Sequence, residues 1–328
     1  MNQKILITGG AGFIGSHLSK CYLENGCEVY CIDDLSTGSL ENIAELQQNP
    51  EYKDKYHLSV DTVFNEELMT QLVGTCDMVI HLAAAVGVKY IIDNPLSSIT
   101  TNINGTEITL RLANKFRKRV LVASTSEVYG KQNKAPLVET DDITLGASSK
   151  LRWSYASAKL IDEFLSLAYF RTTNLPVVVV RFFNTVGPKQ TGEYGMVIPN
   201  FVQQALSNEP VTVFGDGNQT RTFTHVADVC AALMQIMETE SAFGEVINIG
   251  GVDEISMMDL ANNIIKRTNS QSKATLVPYE KVYNKDFEDM PRRVPCTDKL
   301  KSIVGEKPKT GLDQILDDVI DWFRSKPK

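Results

Sequence analysis

An apolar run, Ile5-Leu6-Ile7, leads straight into glycines at positions 9, 12 and 15, and a helical pattern opens behind them at Ser16-His17-Leu18. Strand, glycine-rich turn and helix in that order make a phosphate cradle. Glycine lets the backbone turn tightly and approach a pyrophosphate, and the helix start offers free N–H groups and the positive end of a dipole. A second strand, Glu28-Val29-Tyr30-Cys31-Ile32, ends on the acid pair Asp33-Asp34. An acid there accepts a hydrogen bond from a ribose 2′-hydroxyl, which favours NAD over NADP.

The 328 residues allow two modest domains or one large one, and 43% hydrophobic residues supply a core. With 33 basic against 40 acidic side chains, the formal net charge is −7, and no basic run occurs. Nucleic-acid and anionic-membrane partners are therefore not expected. No apolar stretch approaches the roughly 18 residues that span a bilayer. The first residues enter a strand at once, so no signal peptide is expected and a cytoplasmic location is. The cysteines at 21, 27, 31, 76, 230 and 296 lack paired metal spacing and read as reduced thiols, with no metal site.

Apolar runs at 4–7, 28–32, 78–82, 119–124 and 176–180 alternate with helical stretches near 13–25, 100–117 and 155–171. This predicts an α/β fold with a Rossmann-type, doubly wound parallel sheet covered on both faces. After about residue 181 glycine and proline punctuate loops around a helix near 197–207, and an amphipathic helix closes the pattern near 311–324. The expected division is a cofactor domain over 1–180 and a smaller C-terminal substrate-binding domain over 181–328, with a soft boundary.

The second motif is Tyr155-Ala156-Ser157-Ala158-Lys159. On a helix, residues i and i+4 share a face, so the phenol and the ammonium stand together. A nearby ammonium favours the phenolate, which suits a tyrosine that takes a hydroxyl proton while a hydride leaves the same carbon. Ser124-Thr125-Ser126-Glu127 ends the strand Val120-Leu121-Val122-Ala123. Ligands gather at the carboxyl ends of parallel strands, so these groups should face the same crevice as the Tyr–Lys pair. His81, which ends an apolar strand, and His225 read as packing residues rather than catalysts.

Taken together, TGGAGFIGSHL (8–18), DDLSTG (33–38), HLAA (81–84), STSEVYG (124–130), YASAK (155–159), RFFNTVGP (181–188) and VFGDGNQTRTFTHVADV (213–229) cover most of the chain. In these segments it resembles the extended short-chain dehydrogenase/reductases, and within them the nucleotide-sugar epimerases, dehydratases and decarboxylases. The resemblance implies that Gly9, Gly12 and Gly15 cradle the pyrophosphate of NAD, with Phe13, Ile14, Asp34 and Leu82-Ala83-Ala84 beside it. It assigns the adenosine ribose to Asp33 and the adenine to Asp61, although Ser59-Val60-Asp61 departs from the family's usual Gly-Asp. It makes Tyr155 the base, Lys159 the partner of the nicotinamide ribose, and Thr125 a holder of the sugar hydroxyl. Asn184 and Arg221 should contact the diphosphate, and Val197 and Phe214 should border the base. The stretches near 100–117 and 155–171 match the pair that forms a four-helix homodimer interface, through Ile103, Leu110, Ala113, Leu160, Phe164, Leu167 and Ala168.

Such enzymes begin by oxidising sugar C4 to a ketone. Thr125-Ser126-Glu127 lacks the aspartate that protonates a departing hydroxyl in deoxythymidine-diphosphate-sugar dehydratases, and resembles UDP-glucuronate decarboxylases. Arg152-Trp153 before the tyrosine, and Arg292-Arg293-Val294-Pro295, resemble decarboxylase segments, the latter placing Arg293 at the sugar. A 4-keto-uronate is a β-keto acid that loses carbon dioxide, and it needs an arginine on its carboxylate. The expected function is thus UDP-glucuronate decarboxylation, with Tyr155, Lys159, Thr125, Ser126, Glu127 and Arg293 in the catalytic set and Arg292 beside the substrate. The alternatives are 4-epimerisation of a UDP-sugar or UDP-uronate, a 4,6-dehydratase, and a non-catalytic NAD-binding scaffold. An intact Tyr155, Lys159 and Thr125 argue against the scaffold. In epimerases Arg292 and Arg293 would only anchor the diphosphate.

Overall fold

The computed structural model describes residues 3–132, 134–192, 195–281, 288 and 290–326, with only the backbone of Val88 and Lys89. Seven parallel strands form the centre: β1 (Lys4–Thr8), β2 (Glu28–Asp33), β3 (Tyr56–Val60), β4 (Met78–His81), β5 (Arg119–Thr125), β6 (Val177–Phe182) and, after four short strands, β11 (Val246–Ile249). Their spatial order is β11-β6-β5-β4-β1-β2-β3. The chain thus winds outward in one direction from β1 through β2 to β3, then returns and winds the other way from β4. That reversal beside β1 is the topological switch point at which open parallel sheets bind ligands.

Helices cover both faces. One face carries α1 (Phe13–Glu24), α2 (Leu40–Gln48) and α8 (Val226–Glu238), and the other α3 (Glu66–Thr75), α5 (Pro95–Phe116) and α6 (Ser154–Thr173). Strand residues feed the two cores alternately: Ile5 and Ile7 pack with the first set, and Leu6 with the second. This is the period-2 side-chain alternation of a strand buried on both sides. Proline at the first position starts α5, and Arg117 in the left-handed region ends it.

A second lobe is built from α7 (Val197–Leu206), α9 (Met257–Thr268) and α11 (Leu312–Ser325) over their own apolar core, which includes Phe201, Leu260 and Ile320. Its short strands are β7 (Thr185–Val186), β8 (Val211–Phe214), β9 (Thr220–Thr222), β10 (Thr224–His225), β12 (Glu254–Ser256), β13 (Ala274–Val277) and β14 (Arg292–Arg293). Here β14 pairs with β9 in parallel, and β12 pairs with β9 in antiparallel fashion. Strand β11 and helix α8 follow residue 180 in sequence yet lie on the central sheet, so the chain crosses back after starting the second lobe. A short α4 (Val88–Asp93) precedes α5, and α10 (Asp298–Val304) precedes α11.

Two histidines are locked in the neutral form. His81 lies fully buried between the Thr8 hydroxyl at 2.8 Å and the Thr106 hydroxyl at 3.2 Å, and burial pushes it down to about 3. His17, on α1, lies 2.9 Å from the Pro188 carbonyl oxygen, and burial pushes it down to about 4. An unfolded histidine titrates near 6.5, so the unfolded chain binds more protons below that pH. Both histidines therefore contribute stability that is complete above about 6.5 and declines as pH falls. We predict a lower urea-unfolding midpoint at pH 4.5 than at pH 7, with a smaller drop in His17→Gln. Equal drops in the two proteins would contradict this.

Candidate active site

Because every central strand points the same way, the loops after β1, β2, β4, β5 and β6 open on one edge. A cleft of about 780 Å³ runs along that edge and continues into the second lobe. Its walls include Gly9, Gly12, Phe13, Ile14, Gly15, Asp33, Asp34, Asp61, Leu82, Ala83 and Ala84 at one end. Thr125, Ser126, Glu127, Tyr155 and Lys159 line it together with Asn184, Val197, Phe214, Arg221 and Arg293. The structure thus gathers into one cleft all but one of the residues singled out from the sequence.

The exception is Arg292. It is exposed and bonds the Glu254 carboxylate through Nε and Nη2, both at 2.7 Å, and it does not line the cleft. The cause is strand alternation: on β14 neighbouring side chains point to opposite sides, so Arg293 faces inward and Arg292 outward.

The glycine loop fits a dinucleotide. Gly9 adopts φ +71°, and a Cβ there would lie 2.8 Å from the backbone nitrogen of Ala83. A Cβ at Gly15 would overlap the Gly9 carbonyl oxygen and lie 2.7 Å from the Gly10 Cα. Gly12 caps α1 with no side-chain bond to the helix's first N–H groups, leaving them aimed at the cleft. Asp33 accepts from the Ala11 and Leu35 backbone N–H groups at 2.9 Å each, while burial pushes its carboxyl upward. A Cβ on Gly38 would lie 2.6 Å from Asp33, so that glycine keeps the acid's surroundings open. Asp61 accepts from the Thr62 N–H and from the Asn65 amide, both at 2.7 Å. Gly9, Gly12, Gly15 and Asp33 would hold a nicotinamide dinucleotide here, and that group would supply a reversible hydride acceptor.

At the end of β5, the Thr125 hydroxyl accepts from the Glu127 N–H at 3.2 Å, which shapes a 3-10 turn over Ser126–Tyr129. Ser126 is buried. Glu127 turns its carboxylate toward two guanidinium groups: Arg152 Nη1 donates to Oε2 at 2.5 Å, and Arg293 Nη1 lies 3.7 Å from Oε1. Asn184 sits at φ +35°, in the left-handed region that asparagine tolerates. Its amide donates to the Thr222 carbonyl at 2.7 Å, and its Oδ1 accepts from Arg293 Nη2 at 3.3 Å.

Tyr155 and Lys159 share one face of α6, but the expected effect on the phenol is not present. The Lys159 ammonium is buried and donates to Asp162 Oδ2 at 2.8 Å, so its charge is spent one turn along the helix. Burial raises the Tyr155 phenol above its ordinary value, the Glu127 and Asp162 charges raise it further, and Arg152 opposes them. Below the tyrosine, Arg181 grips Glu163 at 2.9 and 2.7 Å, and Ser124 donates to the same carboxylate at 2.5 Å. This buried cluster ties β5, β6 and α6 together. His225 caps α8 through Nδ1 and lies 3.3 Å from Asp318, and His81 is bonded within the sheet, so both pack rather than react.

Two features escaped the sequence reading as site components. In the sequence Arg152 stands out only as part of a family segment, yet it is buried and paired to Glu127. Glu288 bonds Lys150, lies 2.6 Å from Lys131 and accepts from the Trp153 indole at 2.9 Å. These partners hold its carboxyl down to about 2. A single glutamate in a loop carries no pattern that could have revealed it. Among the described residues, no group of three His, Cys, Asp or Glu is placed to hold a metal, and no helix is long and apolar enough to cross a membrane.

Comparison with known proteins follows this geometry. A family described as GDP-mannose 4,6 dehydratase matches residues 6–319. A UDP-N-acetyl-alpha-D-glucosaminuronate decarboxylase from Bacillus cytotoxicus is 42% identical over 99% of this chain and 98% of its own. UDP-glucuronic acid decarboxylase 4 of Arabidopsis thaliana is 35% identical over 98% of this chain and 69% of its own. Among solved structures, a UDP-glucuronic acid 4-epimerase from Bacillus cereus, in complex with UDP-glucuronic acid and NAD, superposes with a TM-score of 0.87. It shares 28% identity and covers 98% of this chain and 99% of its own.

The crowding at Gly15 gives a direct test of the cradle. Gly15→Ala should weaken NAD binding by roughly tenfold or more, because the new methyl strikes fixed backbone. Gly74→Ala, on α3, meets only the Phe116 ring at 3.5 Å, and should bind NAD as the parent does. Titration of both variants with NAD checks this, and unchanged affinity in Gly15→Ala would remove the loop from the site.

Proposed function

The chain belongs to the GDP-mannose 4,6 dehydratase family, and from that membership we propose that it is an NAD-dependent UDP-hexuronate decarboxylase. The observation that carries this reading is the pairing of a half-buried Glu127 with two arginines in the cleft wall that also holds Tyr155. A neutral hexose offers such a site only hydroxyl contacts, whereas a C6 carboxylate suits a guanidinium fork.

In the proposed cycle Tyr155 takes the proton of the C4 hydroxyl, helped by Thr125, as C4 becomes a ketone. Arg293 holds the C6 carboxylate. The C5–C6 bond then breaks and carbon dioxide leaves. Its electron pair passes into a C4–C5 enolate, whose oxygen is stabilised by the Tyr155 hydroxyl. C5 takes up a proton, with Ser126 and Glu127 beside it, and C4 is reduced again. Lys159 holds the nicotinamide ribose and, with Asp162, fixes the tyrosine's face of α6. Asn184, Arg221, Val197 and Phe214 hold the nucleoside diphosphate.

The names of the two decarboxylase relatives agree on a UDP-hexuronate and differ at C2 of the sugar. UDP-glucuronate and its 2-acetamido analogue are therefore the two substrates to compare, the second favoured by the 42% identical relative. The Bacillus cereus neighbour supports a second reading, 4-epimerisation of a UDP-uronate, which needs no loss of carbon.

We also propose a homodimer through α5 and α6. The expected contact set changes in part. Leu110 and Ala113 are fully buried against the sheet, while Phe164 is 65% exposed, Leu96 76% and Ile161 43%. These exposed side chains support a helix-pair interface between two copies. Six cysteines without disulfides accord with a cytoplasmic location.

Two outcomes are expected. Purified protein given NAD and either UDP-hexuronate should release carbon dioxide and a UDP-pentose, detected by mass spectrometry, and Tyr155→Phe should slow this by about 10²–10⁴-fold. A C4 epimer with no carbon dioxide would establish the epimerase reading instead. Light scattering should show a dimer at micromolar concentration, and Phe164→Glu should shift it toward monomer. A monomeric parent protein would rule the interface out.

A further inference from the structure

Lys159 stands between two acidic oxygens on one face of α6. Tyr155 lies four residues before it and Asp162 three residues after it, both at the spacing of helix neighbours. The ammonium donates to Asp162 Oδ2 at 2.8 Å. The pair is shut away from water: the Lys159 side chain is 2% exposed and that of Asp162 0%. An ammonium has three N–H donors. One is committed to Asp162, and Lys159 and Tyr155 both line the cleft. Asp162 does not line it, so it acts there only through its neighbours. Other groups surround the pair. Thr106 of α5 brings its hydroxyl beside the Asp162 carboxylate, and His81 of β4, buried and neutral, lies near Lys159. Glu163, the next residue on α6, is taken by Arg181 of β6 and Ser124 of β5. Glu127 and Arg152, from the 3-10 turns packed on the start of α6, act on the phenol with opposite signs.

We propose that Asp162 is a positioning residue for the chemical step: it holds the Lys159 ammonium in place and, as a second oxygen drawing on the same positive charge, sets how readily the Tyr155 phenol gives up its proton. This rests on Tyr155 as the proton acceptor, a role that the decarboxylase and epimerase readings share, and it adds the group that governs that acceptor. The sign follows from the charges. Two charges in a buried ion pair are strongly coupled, and removing one strands the other. The Asp162 carboxylate also disfavours a phenolate beside it. A neutral residue at 162 removes that repulsion and turns the Lys159 charge toward the phenolate. Both effects make the phenol more acidic.

Asp162→Asn keeps the size of the side chain and an oxygen for the Lys159 N–H group, and removes only the charge. The first measurement is the pH dependence of kcat/KM of NAD-loaded enzyme for the UDP-hexuronate that the parent turns over. Its acid limb reports the group that must lose a proton in the free enzyme. In Asp162→Asn the limb should move to lower pH by about one unit or more. A role confined to structure would lower the rate by one factor at every pH and leave the limb in place. The second measurement needs no turnover. It is the phenolate absorbance during titration to high pH, taken as the difference between each protein and the same protein carrying Tyr155→Phe. The Tyr155 phenolate should appear at lower pH in Asp162→Asn than in the parent. Binding of UDP, by calorimetry, is the control for an intact site.

A parent protein that turns over neither UDP-hexuronate overturns the function proposed above and this inference with it. An active parent in which either readout stays in place or moves to higher pH in Asp162→Asn overturns the inference alone. If Asp162→Asn does not fold, Asp162→Ser, which is also small and neutral, decides by the same two readouts.

Discussion

Parallel pairing is the constraint on which the rest of this molecule depends. Seven strands that all run the same way bring all their carboxyl ends to one edge of the sheet. The turn after β1, the acid after β2 and the hydroxyl–glutamate cluster after β5 are far apart in sequence, yet they must share that edge. The reversal of winding beside β1 then leaves a crevice between the two halves of the sheet. Parallel strands also require crossover helices, and these bury both faces of the sheet. Only the edge remains open for chemistry.

Placing ionisable groups at such an edge raises a solvation problem, and the chain meets it by pairing them. Arg181 with Glu163 and Lys159 with Asp162 are almost fully buried. Pairs of this kind add little net stability, because desolvation offsets much of their attraction, but breaking one leaves a stranded charge. Their effect here is geometric. Glu163 is bonded by Ser124 from β5 and Arg181 from β6 while it rides on α6. The helix that carries Tyr155 is thereby fixed against the strand that carries Thr125. The cost appears at the phenol, which is raised first by its own burial and then by the Glu127 and Asp162 charges. A phenol raised in this way adds no further negative charge beside Glu127 and Asp162.

Much of this was legible in the sequence because it is local. β1, β2, β4, β5 and β6 show as apolar runs, and α1, α5, α6, α7 and α11 as helical periods. The glycine loop and the Tyr155–Lys159 spacing are short motifs whose chemistry follows from a few residues. What stayed hidden depends on contacts between distant segments. β3 reads Tyr56-His57-Leu58-Ser59-Val60, and as an edge strand it is only half buried, which blurs its pattern. Lys159 stands at helix spacing from both Tyr155 and Asp162, and only the rotamer decides that its charge goes to Asp162. Arg292 and Arg293 are adjacent in sequence, and only the strand around them separates an exposed ion pair from a group in the cleft.

Glu288 shows why the second lobe was the harder part to read. It precedes β14, the strand that carries Arg293 into the cleft. Its carboxylate takes the Trp153 indole, with Lys131 and Lys150 as further partners. Trp153 and Lys150 flank Arg152 just before α6, and Lys131 follows the 3-10 turn that holds Glu127. One half-buried carboxylate thus joins the three segments that deliver Glu127, Arg152 and Arg293. Exposed ion pairs are individually weak, but a carboxylate shared by two lysines and an indole spreads that task over several bonds. Arg152 precedes α6 beside the central sheet and Arg293 lies on β14 of the second lobe, so the grouping around Glu127 forms only when both parts are folded. The arrangement around Glu127 and the docking of the second lobe are therefore set by the same few side chains.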